Sequence, residues 1–259
     1  MAKELGRADL HIHTTYKDGL STVDEVIARA VALELDVIAI TDHDTIEGAI
    51  EARKKTKNLD LEVIVGEEIS SRAGHVIGLF LNEKIEPWLS LAETIRRIHR
   101  QGGLAIIPHP LWSLRGQVPI AKSRRIDLGM SGVSRRSMIK ILRADPESRP
   151  DAVEVFNASP IGLVRHLEVK LLNQEQWHLP EVGSSDAHSA AIVGHCYTIF
   201  PGRSAANIRQ AIEKGETIAE GSFMSPSEAF RLVRCRIRRD AGRLKRRGLE
   251  SLKPREEWR

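Results

Sequence analysis

An α/β barrel whose strand ends gather at one rim is the architecture this sequence predicts, on three observations. Apolar runs of strand length alternate with stretches of helical periodicity along most of the 259 residues. Some of those runs are continuous, as in Val37-Ile38-Ala39-Ile40, which suits a parallel strand covered on both faces. Run after run also ends in His, Asp or Glu: His11-Ile12-His13, Thr41-Asp42-His43-Asp44, Glu67-Glu68, Pro108-His109 and Ser185-Asp186-Ala187-His188. A chain of this length can bury a substantial core in one such domain.

Taken in order, Ala8–His13 reads as the first strand, followed by a loop that holds Asp18. Ser21-Thr22 with Asp24 and Glu25 open a helix whose apolar face runs through Val23, Val26, Ile27 and Ala30. After the strand Val37–Ile40 come a helix over Thr45–Lys57 and strands over Leu61–Val65 and His75–Leu81. A helix over Leu89–Gln101 stops at Gly102-Gly103, and Leu104–Ile107 is the next strand. This alternation predicts parallel βαβ units. Residues 111–150 break the rhythm with Arg, Lys, Ser and Gly, and read as an insertion, either a solvated surface piece or a cap over the rim. The pattern resumes with a strand over Ala152–Asn157, a helix over Val164–Gln176, strands over Glu181–Gly183 and Tyr197–Phe200, and a helix over Ser204–Lys214. A last helix runs from Pro226 to about Lys245, docking Phe230, Leu232, Val233, Ile237 and Leu244 on the barrel. The expected division is therefore a barrel over residues 1–230, interrupted by 111–150, and a basic helix and tail over 231–259.

Composition narrows the function classes. Aromatic residues make up 4% of the chain, too few to suggest stacking platforms for single-stranded nucleic acid. Cys196 and Cys235 match no paired or metal-binding spacing, which suits a reducing compartment. No run approaches the length of a membrane span and no apolar leader precedes the first strand, so a cytoplasmic protein without a membrane or an obligate protein partner is expected. The net charge of +4 is uneven: residues 231–259 carry twelve Lys or Arg against four acids, a local +8, leaving −4 for the rest. That tail admits a nucleic-acid reading beside the plainer one of a solvated helix face.

Chemistry enters with the histidines. On a strand, His11 and His13 project to one face and can hold one ion between them. The other rim acids and imidazoles make a mixed His, Asp and Glu set without thiolate, which suits Mn²⁺, Fe²⁺ or Zn²⁺. Cations held close together lower the pKa of water and offset phosphoryl charge, so ester hydrolysis needs no covalent nucleophile; Ser184 and Ser185 lie in no nucleophile-elbow pattern. Asp42 and Asp44, flanking His43, read as orienting or capping residues, with Asp44 also a candidate substrate contact. Asn157 at its strand end is a candidate substrate contact or a turn former. Among Arg124, Arg125, Arg135 and Arg136, Arg135 is the chosen phosphate contact. His195 is a candidate proton donor or a residue packed at a strand start, and His99, His166 and His178 read as surface residues.

The segments Asp9-Leu10-His11-Ile12-His13-Thr14, Thr41-Asp42-His43-Asp44, Gly66-Glu67-Glu68-Ile69-Ser70, His75-Val76-Ile77-Gly78, Ile106-Ile107-Pro108-His109-Pro110 and Ser184-Ser185-Asp186-Ala187-His188, in that order, resemble the PHP (polymerase and histidinol phosphatase) superfamily. They look most like its stand-alone phosphoesterases, which include nucleoside 3',5'-bisphosphate phosphatases that also trim short RNA from the 5' end. The resemblance covers about residues 7–230. It implies a distorted (β/α)7 TIM-like barrel with a small insertion subdomain and three divalent cations at the rim. His11, His13, Glu68 and Asp186 would hold the first. Glu68 would bridge to a second on His75 and His109, and Asp18, His43 and His188 would hold the third. Glu67 is then a neighbour pointing away. The implied activity is hydrolysis of phosphate monoesters of small nucleotides or short oligoribonucleotides by metal-bridging hydroxide, with Asp18, His43, Glu68 and His188 catalytic. Histidinol-phosphate phosphatase is the alternative within the superfamily, and a nucleic-acid-binding protein with a relic barrel the alternative outside it.

Overall fold

Strand β1 (Leu5–Ile12) is buried at every position from Ala8 to Ile12, because it runs between neighbours on both sides in a nine-stranded sheet. Helix α1 (Val23–Ala32) starts at a capping box in which the Thr22 side chain takes the Glu25 N–H and Glu25 reaches back to the Thr22 N–H. Then follow β2 (Val37–Ile40), α2 (Glu47–Lys55), β3 (Glu62–Ser71), β4 (Gly74–Leu79), α3 (Leu91–Arg100) and β5 (Leu104–Ile107). The segment after β5 holds a two-stranded hairpin, β6 (Pro119–Ala121) with β7 (Arg124–Arg125), and helix α4 (Arg135–Leu142), which buries Met138 and Ile141. The remaining elements are β8 (Ala152–Asn157), α5 (Pro160–Leu172), β9 (Glu181–Ser184), β10 (Cys196–Pro201), α6 (Ala205–Lys214) and β11 (Ile218–Gly221). The computed structural model describes residues 4–111, 119–121, 124–125, 132–235, 237 and 239. Of the arginines weighed in the insertion, the side chains of Arg124 and Arg125 lie outside what is described.

The sheet order is β11-β10-β1-β2-β3-β4-β5-β8-β9. The pairs β1·β2, β2·β3, β5·β8 and β8·β9 are parallel, as the alternation predicts. The β3–β4 and β4–β5 pairs are antiparallel instead. Only Arg72 and Ala73 separate Ser71 from its rung partner Gly74, too short a link for the crossover a parallel pair requires. Strand β11 was not expected; it is short and mostly exposed, so it leaves no apolar run to read. The two ends of the sheet approach each other beside β9. The Thr198 hydroxyl bridges to the Gly183 N–H and carbonyl, the His13 N–H donates to Ala187 O (2.9 Å) and the Ala187 N–H to His11 O (3.3 Å). The result is a nearly closed barrel.

One apolar cluster fills it, drawing on β1, β2, β3, β4, β5, β8, β9 and β10 together with Ile208, Ala211 and Ile212 of α6. Helix α6 therefore stoppers one end. That end is the amino-terminal one: the Ala205 N–H donates to Glu62 at the start of β3, and Arg209 donates to the Gly102 carbonyl just before β5. The carboxyl ends of the parallel strands are left open, the face where barrels of this kind carry their sites.

The chain divides into two units after Met224. In the second, residues 226–235 are helical. The remainder of the predicted last helix, including Leu244, lies outside the described residues. No helix among the described residues is long and apolar enough to cross a membrane.

Candidate metal centre

The rim gathers all nine of the expected ligands into overlapping groups whose donor atoms lie within 4.8 Å of one another: His11, His13 and Asp186; His11, Glu68 and His109; His43, Glu68 and His75; His13, Asp18, His43 and His188. The grouping differs from the expected one in that His43 faces Glu68 (Nδ1 to Oε2, 3.1 Å) as well as the Asp18–His188 pair. The local sequence explains the delivery. A register irregularity in β1 between Asp9 and Ile12 re-aims the strand just before the two histidines reach the mouth. His109 and Asp186 follow their strands with left-handed backbones (φ +27° and +51°), a conformation that costs energy in a non-glycine residue and is held only where the surroundings demand it.

The donor set fits a cation. His11 Nε2 and His13 Nε2 face each other at 3.1 Å, each stands 3.3 Å from Glu68 Oε2, and Asp186 Oδ1 is 3.5 and 3.3 Å from them. Ligands bound at ~2.0–2.2 Å in tetrahedral or octahedral geometry are about 2.9–3.5 Å apart, so these atoms already mark edges of such a polyhedron. The two imidazole nitrogens meet at 3.1 Å and both face the carboxylates of Glu68 and Asp186, an environment that favours positive charge on or between them.

In the metal-free protein that positive charge is supplied by protons. Burial opposes charge on His13, but the hydrogen bonds it donates to the Asp186 and Glu68 carboxylates and the nearby Asp18 carboxylate override it and push its pKa up to about 10. His11 is likewise raised against its burial, by Asp186, Glu68 and Glu154. His43, buried and beside His13 and His75, is lowered to about 4. Cations and protons therefore compete for His11 and His13. Between about pH 7 and 9 the unloaded site holds the His13 proton and the loaded site cannot, so Mn²⁺ binding should release protons and its apparent affinity should rise with pH. Calorimetry in buffers of different ionisation enthalpy checks this, and binding without proton release would contradict it.

Sequence reasoning missed Glu154. Buried in β8, it binds His11 Nδ1 through Oε1 (3.2 Å), and its Oε2 accepts from the His109 N–H (2.7 Å) and from Asn157 Nδ2 (2.9 Å). Taking the His11 Nδ1–H leaves Nε2 as the lone-pair nitrogen turned into the site. A lone acid inside the apolar run Val153-Glu154-Val155 was the signal that could have found it, since a buried carboxylate needs partners. Asp9 is a second silent acid: fully buried, it accepts N–H groups of Ser185 (3.0 Å) and Gly194 (2.9 Å), fixing the loop that carries Asp186, and burial raises its pKa to about 6. Asp42 accepts both the N–H and the hydroxyl of Thr14 (2.6 Å each), which fixes the chain just after His13. Glu67 points away from the cluster to the Ile85 N–H (2.8 Å), and burial pushes its pKa up to about 8. Replacing Glu154 by Gln removes one of the two acceptor oxygens that three donors share. It should weaken Mn²⁺ affinity by about 10–100-fold, as read by chelator competition; unchanged affinity would show that His11 does not depend on it.

Of the four expected substrate contacts, Asp44, Asn157 and Arg135 already hold polar partners within the protein. Both oxygens of Asp44 are bound by Ser70, through its N–H (2.8 Å) and hydroxyl (3.0 Å), which ties the loop after β2 to β3. Asn157 spends its amide on Glu154 and Asp186 (3.3 Å) and its oxygen on the Ser159 N–H, so it braces a ligand carboxylate. Arg135, at the start of α4, is exposed and donates to Gln176 (3.2 Å). His195 lines a separate cleft in whose wall none of the nine rim ligands stands. His166, expected at the surface, is tucked in, with Nδ1 2.7 Å from the Val155 carbonyl.

Comparison with known proteins places this architecture. The PHP domain family model matches residues 9–112, and the PHP-associated model matches residues 173–217. An uncharacterized protein of Methanocaldococcus jannaschii is 42% identical over 141 residues, covering 49% of this chain and 79% of that protein. A protein of Haemophilus influenzae named 5'-3' exoribonuclease is 33% identical over 102 residues, 38% of this chain and 37% of the relative's length. Among solved structures, a two-domain protein from Bacteroides vulgatus, described as containing a predicted PHP-like metal-dependent phosphoesterase, superposes with a TM-score of 0.60 at 20% identity. The match covers 85% of this chain and 66% of that one. The chain belongs to the PHP family of metal-dependent phosphoesterases.

Proposed function

We propose that the chain hydrolyses phosphate monoesters of small nucleotides or short oligoribonucleotides with three divalent cations, Mn²⁺, Fe²⁺ or Zn²⁺, held by the nine rim side chains. The observation that carries this reading is the convergence of those donors at the open end of the barrel. Bound cations supply Lewis acidity there, lowering the pKa of water and offsetting charge on the phosphoryl oxygens.

The protein's own groups divide the remaining work. Glu68, 1% exposed, meets imidazoles through both oxygens, and although burial opposes it the surrounding histidines keep its pKa well below the usual carboxylate range. It stays anionic and holds the groups on its two sides in register. Asp18, His43 and His188 are the most solvent-accessible of the nine, at 24%, 21% and 18%. The ester therefore enters across them, past the His188 Nε2–Asp18 Oδ2 contact (3.0 Å). Restriction to nucleotides is supported by the Haemophilus relative's name, and the intact donor set speaks against a relic barrel.

Metal-loaded protein should release inorganic phosphate from adenosine 3',5'-bisphosphate, or mononucleotides from a 5'-phosphorylated oligoribonucleotide, faster than from histidinol phosphate in the same assay. Silence across the whole panel with metal shown to be bound would overturn the hydrolytic reading; preference for histidinol phosphate would overturn its nucleotide half.

A further inference from the structure

Beside the mouth lies a concavity that the metal centre does not use. A cleft of about 490 Å³ opens where α5 faces the first residues of β10 and the last of β11, within the ~300–1,000 Å³ typical of small-molecule sites. It shares a framework with the catalytic rim. Phe156 in its wall immediately precedes Asn157, which braces Asp186, and Gly194 in its wall donates to Asp9, which also holds the Ser185 N–H.

The lining has two distinct characters. On one side the Phe156 and His166 rings line the cleft 4.5 Å apart at an interplanar angle of 59°, so that a flat ring can stack on one and meet the edge of the other. His166 Nδ1 meets a carbonyl and must donate to it, which leaves Nε2 as an acceptor for an amino or hydroxyl hydrogen. Lys170 stands one turn further along α5, on the same face, and forms no ion pair among the described residues. Opposite are the His195 imidazole and Ser222. The acid in the lining, Glu220, lies 3.4 Å from the Tyr197 hydroxyl, which donates to it. An aromatic wall next to an ammonium and an imidazole selects for a flat heterocycle that carries an anionic group.

We propose that this cleft binds a nucleotide, its base against Phe156 and His166 and its phosphate at Lys170 and His195. The choice of ligand rests on the phosphoester reading above. The nucleotide is either the downstream residue of an oligonucleotide whose 5' end sits at the metals or a free mononucleotide, and the two sources separate experimentally.

Titration calorimetry of the full chain, stripped of metal so that nothing is turned over, tests the site with adenosine 5'-monophosphate and a 5'-phosphorylated adenosine dinucleotide. Wild type should bind the mononucleotide. Lys170→Gln should weaken that binding about tenfold, the loss of one charge-assisted hydrogen bond, and Ser222→Trp, as a plug, should weaken it at least as much by occupying the cleft, with thermal melts showing both variants folded. No binding by folded wild type at millimolar ligand, or full binding in both folded variants, overturns the proposal. Tighter binding of the dinucleotide, lost in the variants, identifies the downstream residue of a substrate; equal affinities identify a free mononucleotide. A silent phosphatase panel together with variant-sensitive nucleotide binding would remove the hydrolytic reading and leave the cleft standing.

Discussion

A single carboxylate organises this molecule. Glu68 is buried and lies within 3.3 Å of five imidazoles: His11, His13 and His43 around one oxygen, His75 and His109 around the other. Neither a bare carboxylate nor a crowd of neutral imidazoles is at ease out of water. Together, and with Asp18 and Asp186, they form a site that is stable only with positive charge inside it, whether protons or metal ions. The rest of the fold is the scaffold that forces these groups together.

That scaffold works from the opposite end. Helix α6 stoppers the amino-terminal end, and an apolar interior contributed by eight strands fills the middle, so the carboxyl ends of the parallel strands are where polar groups can meet. Antiparallel β4 adds a candidate ligand to the rim: the β3–β4 rung pairs Ser70 with His75, setting His75 two residues from Glu68 across the hairpin. Beneath the ligands, Asp9, Asp42, Glu154 and Asn157 spend their hydrogen-bonding capacity on loops and imidazoles.

How much of this was legible in the sequence follows the same division. The candidate ligands announced themselves because a polar, titratable residue gains little from sitting at the end of an apolar run, and here run after run closes on His, Asp or Glu. Parallel strands and capped helices were legible from continuous apolar runs and from Thr22 with Glu25. The supporting groups were not. Glu154 sits in a run that its neighbours make apolar, and only its partners, 45 and 143 residues away in sequence, disclose its role. Position at a rim did not disclose that Asp44 already engages Ser70, or that Asn157 engages Glu154 and Asp186. Strand β11 escaped because an exposed closing strand needs no hydrophobic pattern.

Cations that replace protons among these nine side chains are what the whole reading requires. Anomalous diffraction from crystals of the Mn²⁺-loaded protein, recorded at the manganese edge, tests it most directly. Anomalous peaks should fall among His11, His13, Glu68 and Asp186, and beside Asp18, His43 and His188. A protein that takes up manganese but shows no peak at this mouth, or peaks only elsewhere on the surface, would contradict it.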